Sequence, residues 1–437
     1  MKPINVGLVG IGTVGGGTYT VLKRNQEEIA RRVGRNIVIR IIADRDIEKA
    51  RRLVDDDTKV TADAFEVVSH PDIDIIVELI GGQTVAKELI LQAIANGKHV
   101  ITANKALLAS HGSEIFAAAQ QKGVIVAFEA AVAGGIPIIK ALREGLAANR
   151  IEWIAGIING TSNFILSEMR EKGLAFETVL AHAQKLGYAE ADPTYDIEGI
   201  DAAHKITIMA AIAFGIPVKF DKAYIEGITQ LSNDDIRYAE ELGYRIKLLG
   251  ITKRVTKGIE LRVHPTLIPV KRLIANVEGV MNAIVVKGNA VGPTLYYGAG
   301  AGAEPTASSV IADLIDVARL LTADPEHRVP HLAFLPDLLS DTPIVPMEEV
   351  ETAYYLRLQV MDKPGALADI TRILADSGIS ISAMVQKEHA EEEDKVNIIM
   401  LTHTTIEKNI NTAIARIESL PVMAGRIVRI RMEELSK

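Results

Sequence analysis

A short apolar run, Ile4–Val9, is followed at once by Gly10-Ile11-Gly12-Thr13-Val14-Gly15 and then by residues 16–32 with helical character. Strand, GxGxxG, helix is the order that a dinucleotide site on an open, mostly parallel sheet requires. Gly10 permits the tight turn, Gly12 lets the backbone approach a pyrophosphate, and Gly15 lets the helix pack closely on the strand. The phosphates would lie over the helix N-terminus, where free N–H groups and the helix dipole favour an anion. The bland alternative is a plain β–α turn. The second strand, Ile37–Ala43, ends in Asp44-Arg45-Asp46. Asp44 suits the ribose hydroxyls of NAD, whereas Arg45 suits the 2′-phosphate of NADP; the two-pronged pairing of guanidinium with phosphate tilts the expectation to NADP, with NAD still possible.

At 437 residues the chain should form two or three domains. Aromatic residues make up only 4%, so the core must be aliphatic. A net charge of −8 argues against non-specific nucleic-acid binding. The absence of cysteine excludes disulfides, thiolate metal sites and a cysteine nucleophile. No apolar run reaches the ~18 residues of a membrane helix, and the opening residues do not read as a signal peptide. The expectation is a cytoplasmic enzyme with no membrane or nucleic-acid partner.

Residues 73–80 read as a buried strand, 84–96 as a helix, and 100–106 as a strand running into the Thr102-Ala-Asn104-Lys105 loop. Ligands gather beyond the carboxyl ends of such strands, which gives Lys105 a functional as well as a surface reading. Residues 124–128 read as a strand ending in Glu129, before a glycine-rich loop that contains Val132, Gly134 and Ile136. A buried carboxylate beside free carbonyls could hold a hard cation; a helix-entry loop is the alternative. Residues 151–158 read as a strand, followed by Asn159-Gly160-Thr161-Ser162-Asn163 and a helix opening at Phe164. Those polar residues suit either helix capping or a carboxylate ligand.

The segment from Gly187 to Lys205 sets Glu190, Asp192, Asp196, Asp201 and Lys205 along a loop that enters a helix. Asp201 and Lys205 stand four apart and share one helix face. An acid that grips an ammonium and a lysine that moves a proton are the parts needed to handle an amino-acid alcohol. His204 and His264 read as residues without chemistry. Residues 223–228 and 246–285 suggest further strands, and residues 298–306 a glycine-rich turn before a helix. Residues 336–352, with three prolines and five acids, read as a linker. The remainder reads as βαββαβ, the ferredoxin-like order, with an Asp362-Lys-Pro-Gly365 turn and a charged hairpin tip at 388–394.

Taken together, Gly10 to Gly15, Thr102 to Lys105, Asn159 to Asn163 and the Gly187 to Lys205 block resemble homoserine dehydrogenase over the whole chain, and the tail resembles an ACT domain. The resemblance implies an α/β fold in three parts. These are a Rossmann-type NAD(P)-binding domain at 1–135, completed by a helix at about 303–335; an α+β catalytic and dimerisation domain at 136–302; and, after the linker, an ACT regulatory domain at 353–437. It implies reversible NAD(P)H-dependent reduction of L-aspartate 4-semialdehyde to L-homoserine, on the branch to threonine and methionine. Lys205 matches the proton-transfer lysine, Lys105 the second active-site lysine and Asp201 the acid beside Lys205. Glu190 and Asp196 match acids around the substrate ammonium, with Asn159, Gly160 and Thr161 also at the substrate. Gly187 and Gly302 match cofactor contacts. Glu129 with Val132, Gly134 and Ile136 matches a site for a monovalent cation such as Na+. A homodimer or homotetramer and feedback by an amino acid such as threonine are also implied. Two rival readings are an amino-acid sensor without catalysis and an oxidoreductase of the same fold acting on an amino-acid amine; the lysines oppose the first and the Glu190 to Lys205 block opposes the second.

Overall fold

A computed structural model describes residues 2–325, 328–387 and 395–435; the expected hairpin tip at 388–394 lies outside the described residues. The chain divides into two compact units. One comprises Met1–Gly160, Asp201–Ala223 and Val280–Thr342; the other comprises Thr161–Ile200, Tyr224–Gly279 and Pro343–Lys437. These units do not follow the consecutive boundaries read from the sequence. The tail from 353 onward shares a unit with 161–200 and 224–279.

The first unit carries a six-stranded sheet in the order Lys59–Thr61, Ile37–Ala43, Ile4–Val9, Ile75–Glu78, His99–Thr102 and Val126–Ala127. Every pairing is parallel. All six residues of Ile4–Val9 are buried, as expected for a parallel strand covered on both faces. This 3-2-1-4-5-6 order reverses beside Ile4–Val9, which puts the glycine turn at the crevice where such sheets bind ligands. The helix expected at 16–32 starts earlier, at Thr13, and is two helices, Thr13–Arg24 and Gln26–Val33, separated at Asn25. Helix Ala303–Leu320 packs its Ala307, Val310, Leu314 and Val317 into the same core. It therefore completes this layer as expected, but it ends at Leu320 rather than near 335. Its start touches Gly17, where a Cβ would lie 2.5 Å from the Ala303 carbonyl oxygen. The first unit also holds an antiparallel set, Ile151–Ile157, Met281–Gly288 and Gly292–Ala299.

In the second unit a long hairpin, Tyr244–Val255 and Gly258–Pro269, is extended by the tail. Strand Val428–Met432 runs parallel to Gly258–Pro269, with Thr266 opposite Arg431. Beyond it lie Glu351–Met361, Lys395–Thr402 and Ile381–Lys387. With helices Ala366–Asp376 and Glu407–Glu418, this is the expected βαββαβ unit in order 4-1-3-2. Tyr354, Leu356, Leu358 and Val360 face its helices, while Tyr355 and Arg357, on the opposite face, bond to Asp235 at 3.2 and 2.6 Å. Within the expected linker, the Val345 N–H donates to the Ile259 carbonyl at 2.8 Å, and Ile344 bridges Ile259.

Candidate active site

Strand His99–Thr102 delivers Thr102, whose hydroxyl donates to Glu78 Oε2 at 2.7 Å and accepts the Asn104 N–H at 3.0 Å. Glu78 Oε1 accepts the N–H groups of Ile80 and Gly81 at 2.9 and 3.1 Å. Asn104 Oδ1 accepts the Leu107 N–H at 3.1 Å, and its Nδ2 donates to the Gly82 carbonyl at 2.6 Å. Lys105 is accordingly the first residue of a helix, Lys105–Lys122, and not a loop residue. Glu78 was not singled out from the sequence as functional. It is fully buried, burial pushes its carboxyl up, and its bonds tie two strand-end loops together beneath Lys105.

Helix Ile200–Phe214 brings in the other partners. Lys205 Nζ donates to Asp201 Oδ2 at 2.6 Å and to the Ile158 carbonyl at 2.7 Å. Asn159 Nδ2 donates to the same carboxylate oxygen at 2.9 Å, and Lys105 Nζ lies 3.0 Å from Oδ1. One buried carboxylate thus bridges two lysines. The Lys205 side chain is 10% exposed, whereas the Lys105 side chain is 40% exposed. Burial pushes the Asp201 carboxyl up, but the Lys205 and Lys105 ammoniums and the hydrogen bonds from Lys205 and Asn159 outweigh it and hold Asp201 well below the ordinary carboxylate range. The neighbouring His204 is buried against Phe220, with ring centroids 4.4 Å apart, and burial lowers it to about 4. It is neutral at pH 7.

At the nucleotide turn, Gly10 has φ +99°, and a Cβ there would meet the Leu79 carbonyl oxygen at 2.8 Å. A Cβ on Gly15 would meet the Gly10 oxygen at 2.0 Å, whereas one on Gly12 would meet nothing within 4 Å. The space over Gly12 is therefore open, and no side chain caps the helix that begins at Thr13 and Val14. These features fit a pyrophosphate. Asp44 accepts the Ile11 N–H at 2.6 Å through Oδ2 and the Asp46 N–H at 2.9 Å through Oδ1. Arg45 is exposed, with no partner among the described residues. Gly302, at φ +125°, precedes helix Ala303–Leu320.

The remaining substrate candidates lie at the start of helix Gly160–Lys172 and in the acidic loop. The helix starts four residues before the expected Phe164. A Cβ on Gly160 would meet the Val280 oxygen at 2.8 Å. The Thr161 hydroxyl donates to the Tyr188 carbonyl at 2.6 Å, and the Ser162 hydroxyl donates to the Asp196 carbonyl at 2.8 Å. Gly187 turns the chain at φ +77°. Glu190 is exposed, and Asp196, half-buried, sits in the short helix Thr194–Ile197.

Around Glu129, the carboxylate accepts the N–H groups of Ile139 and Lys140, each at 2.8 Å. The Gly134 carbonyl accepts the Ser309 hydroxyl at 2.6 Å. Burial pushes Glu129 up to about 7. Ala133 and Gly134 are both left-handed, with φ 56° and 50°, so this loop turns sharply between Val132 and Ile136, and the Ile136 carbonyl accepts the Ile138 N–H at 2.8 Å. Among the described residues no cluster of three or more acidic or histidine side chains could hold a metal.

Residues 10–129 match the family described as "Homoserine dehydrogenase, NAD binding domain", residues 137–315 match "Homoserine dehydrogenase", and residues 354–422 match "ACT domain". The chain is 64% identical over 436 residues to a homoserine dehydrogenase of Pseudomonas aeruginosa, with both chains fully covered. A solved homoserine dehydrogenase from Thiobacillus denitrificans is 70% identical, with a TM-score of 0.96 over 100% of this chain and 99% of that one. A hyperthermophilic archaeal homoserine dehydrogenase solved in complex with NADPH is 26% identical, with a TM-score of 0.63 over 74% of this chain and 99% of that one.

Proposed function

Because this chain belongs to the homoserine dehydrogenase family, we infer that it interconverts L-aspartate 4-semialdehyde and L-homoserine with a nicotinamide cofactor, on the branch to threonine and methionine. The observation that carries the mechanism is Asp201 bridging Lys105 and Lys205. The bound nicotinamide supplies the hydride. Negative charge then grows on the aldehyde oxygen, and the surplus of cationic over anionic side chains is placed to stabilise it. Lys205 delivers the proton, or removes it in the reverse direction. Lys105, the more exposed cation, steadies the oxygen. Asp201, anchored by Asn159, holds both lysines in register. We assign Glu190 and Asp196 to the substrate ammonium, and Gly160 and Thr161 to the support of that region.

NADP is the proposed preferred cofactor. Asp44 already accepts two backbone N–H groups, while Arg45 remains exposed, and the archaeal relative was solved with NADPH. Gly187 and Gly302 are assigned to the cofactor by family resemblance. A single-charged cation such as Na+ is proposed for the carbonyls of Val132, Gly134 and Ile136 beside Glu129. With only one carboxylate, itself holding two N–H groups, the donor set suits a weakly held ion. The ACT-like tail is proposed to be regulatory, with threonine as candidate effector. A homodimer or homotetramer is supported by strand Gly292–Ala299, which exposes Leu295 and Tyr297 at the end of its sheet. Among the described residues no helix is long and apolar enough to cross a membrane; a cytoplasmic location is the proposal.

The test is oxidation of L-homoserine, followed at the absorbance of the reduced nicotinamide with NADP and NAD in parallel. Turnover favouring NADP is expected, and Arg45→Ala should erase most of that preference. No turnover with either cofactor, in sodium or potassium buffer, overturns the assignment.

A further inference from the structure

Within the second unit, a cleft of about 780 Å³ opens between segment 225–231 and two elements of the tail, helix Glu407–Glu418 and strand Val428–Met432. Its size lies in the range of small-molecule pockets, roughly 300–1,000 Å³. None of its lining residues belongs to the Asp362–Gly365 turn. We propose that this cleft binds a free α-amino acid with a small aliphatic side chain, and that its occupancy is felt at Asp196. The proposal rests on the reading of the tail as regulatory and gives that role a place.

The charges that line the cleft fall into two sets. One set is already matched: Arg429 is paired with Glu407 and Asn411, and Glu226 with Arg431 and Tyr224. The other set has capacity left. Arg426 is an exposed guanidinium with no partner among the described residues. Glu198 uses Oε1 to accept the Thr229 hydroxyl at 3.2 Å, and Glu418 uses Oε1 to accept the Ile427 N–H at 2.9 Å; the second oxygen of each makes no described bond. One available cation and two part-available carboxylates on facing walls suit a ligand that carries both signs. A purely anionic ligand would face two carboxylates, and a purely cationic one would leave Arg426 unmatched. Ile225, Leu231 and Ile414 supply apolar lining for a short side chain.

The wall of the cleft is built against the segment that carries Asp196. The Ile228 N–H donates to the Ile197 carbonyl at 2.8 Å. A Cβ on Gly227 would lie 2.4 Å from the Ile197 oxygen and 2.6 Å from the Glu198 Cα, so the two segments are in direct contact. Glu198 follows the short helix Thr194–Ile197. A ligand ammonium held by the second oxygen of Glu198 pulls on the carboxylate whose Oε1 holds Thr229, and thereby alters the brace beneath Asp196. A coupling of this kind needs only a difference in ligand affinity between two arrangements of the brace.

The test uses the full-length protein, with L-threonine, L-isoleucine and L-methionine as probes. Binding is read by calorimetry and inhibition by homoserine oxidation. At least one probe should bind the wild type at millimolar concentration or below and inhibit it. Arg426→Ala and the cleft-filling Ala415→Trp should each weaken that binding at least tenfold, while uninhibited kcat stays within twofold. Thr229→Val should keep binding within threefold but lose most of the inhibition, a split that a merely structural role would not produce. If a probe binds the wild type and both cleft variants equally and is lost in Asp362→Ala, the site is at the turn; the cleft proposal then falls while the regulatory reading stands. If no probe binds the wild type, both fall.

Discussion

Two buried charge clusters, one in each compact unit, use similar side chains for opposite ends. In the first, Asp201 alone serves Lys105 and Lys205. In the second, Arg431 donates to both oxygens of Glu407 at 2.9 and 2.6 Å and to Glu226 at 2.7 Å, while Arg262 donates to Glu260 and Glu433 at 2.9 and 2.5 Å. A guanidinium keeps its proton at any ordinary pH, whereas an ammonium can lose one. The arginine cluster also has no cation to spare, each of these arginines meeting two carboxylates, while the lysine cluster has one carboxylate for two cations. A buried charge is therefore no sign of chemistry by itself. The signs are a proton that can leave and a charge left over for the substrate to complete.

The contrast breaks most easily at Lys205. Lys205→Ala should lower kcat by roughly 10²–10⁴-fold with cofactor KM nearly unchanged, and Lys205→Arg should not restore it, because the charge returns without a transferable proton. Recovery in the arginine variant would mean that charge alone suffices and that the two clusters differ less than their chemistry suggests. Next in size, Arg431→Ala should cost about 3–5 kcal/mol of stability by leaving the buried Glu407 and the half-buried Glu226 with one partner fewer, read by denaturant unfolding. A loss under 1 kcal/mol would show that the cluster is dispensable.

A smaller effect separates scaffold from site at low pH. His99 and His331 accept the N–H groups of Ile125 and Val126 at 2.9 and 3.0 Å, and burial lowers them to about 4 and about 3. Their folded values lie below the unfolded value near 6.5. The unfolded chain therefore takes up protons first, and the contribution present above that value is lost as pH falls toward 4. For His99 this is on the order of 3 kcal/mol. Asp201, held low, keeps its charge throughout. The melting temperature should fall more gently between pH 7 and 4.5 in His331→Gln than in the wild type; equal slopes would refute the histidine account.

What was legible in the sequence follows the range of the interactions. Gly10 and Gly15 could be read because their reasons are local, a turn and a contact with each other. Asp201 and Lys205 could be paired because four residues is one helical turn. Lys105 was found, but its helix start was not, because the Asn104 cap is anchored to Gly82, 22 residues away. Glu78 stayed silent for the same reason, its partner Thr102 lying 24 residues on. The arginine cluster was invisible. Glu260, Arg262 and His264 alternate as on a solvent-facing strand, yet all of Gly258–Pro269 is buried, because Glu433 and Arg431 arrive from some 170 residues downstream. Read locally, the tail shows its own βαββαβ order but not the pairing of Arg431 opposite Thr266 that joins it to a larger sheet.

That pairing sets the order of assembly. Strand Val428–Met432 follows both of its neighbours in the sequence, yet it lies inside its sheet, between Gly258–Pro269 and Glu351–Met361. During synthesis those two neighbours leave the ribosome well before it and must wait with open edges, the state in which sheets pair wrongly. This sheet cannot close by vectorial growth from the N-terminus; it closes when Val428–Met432 is inserted. Removing that strand would therefore leave a gap in the middle of the sheet rather than trim an edge.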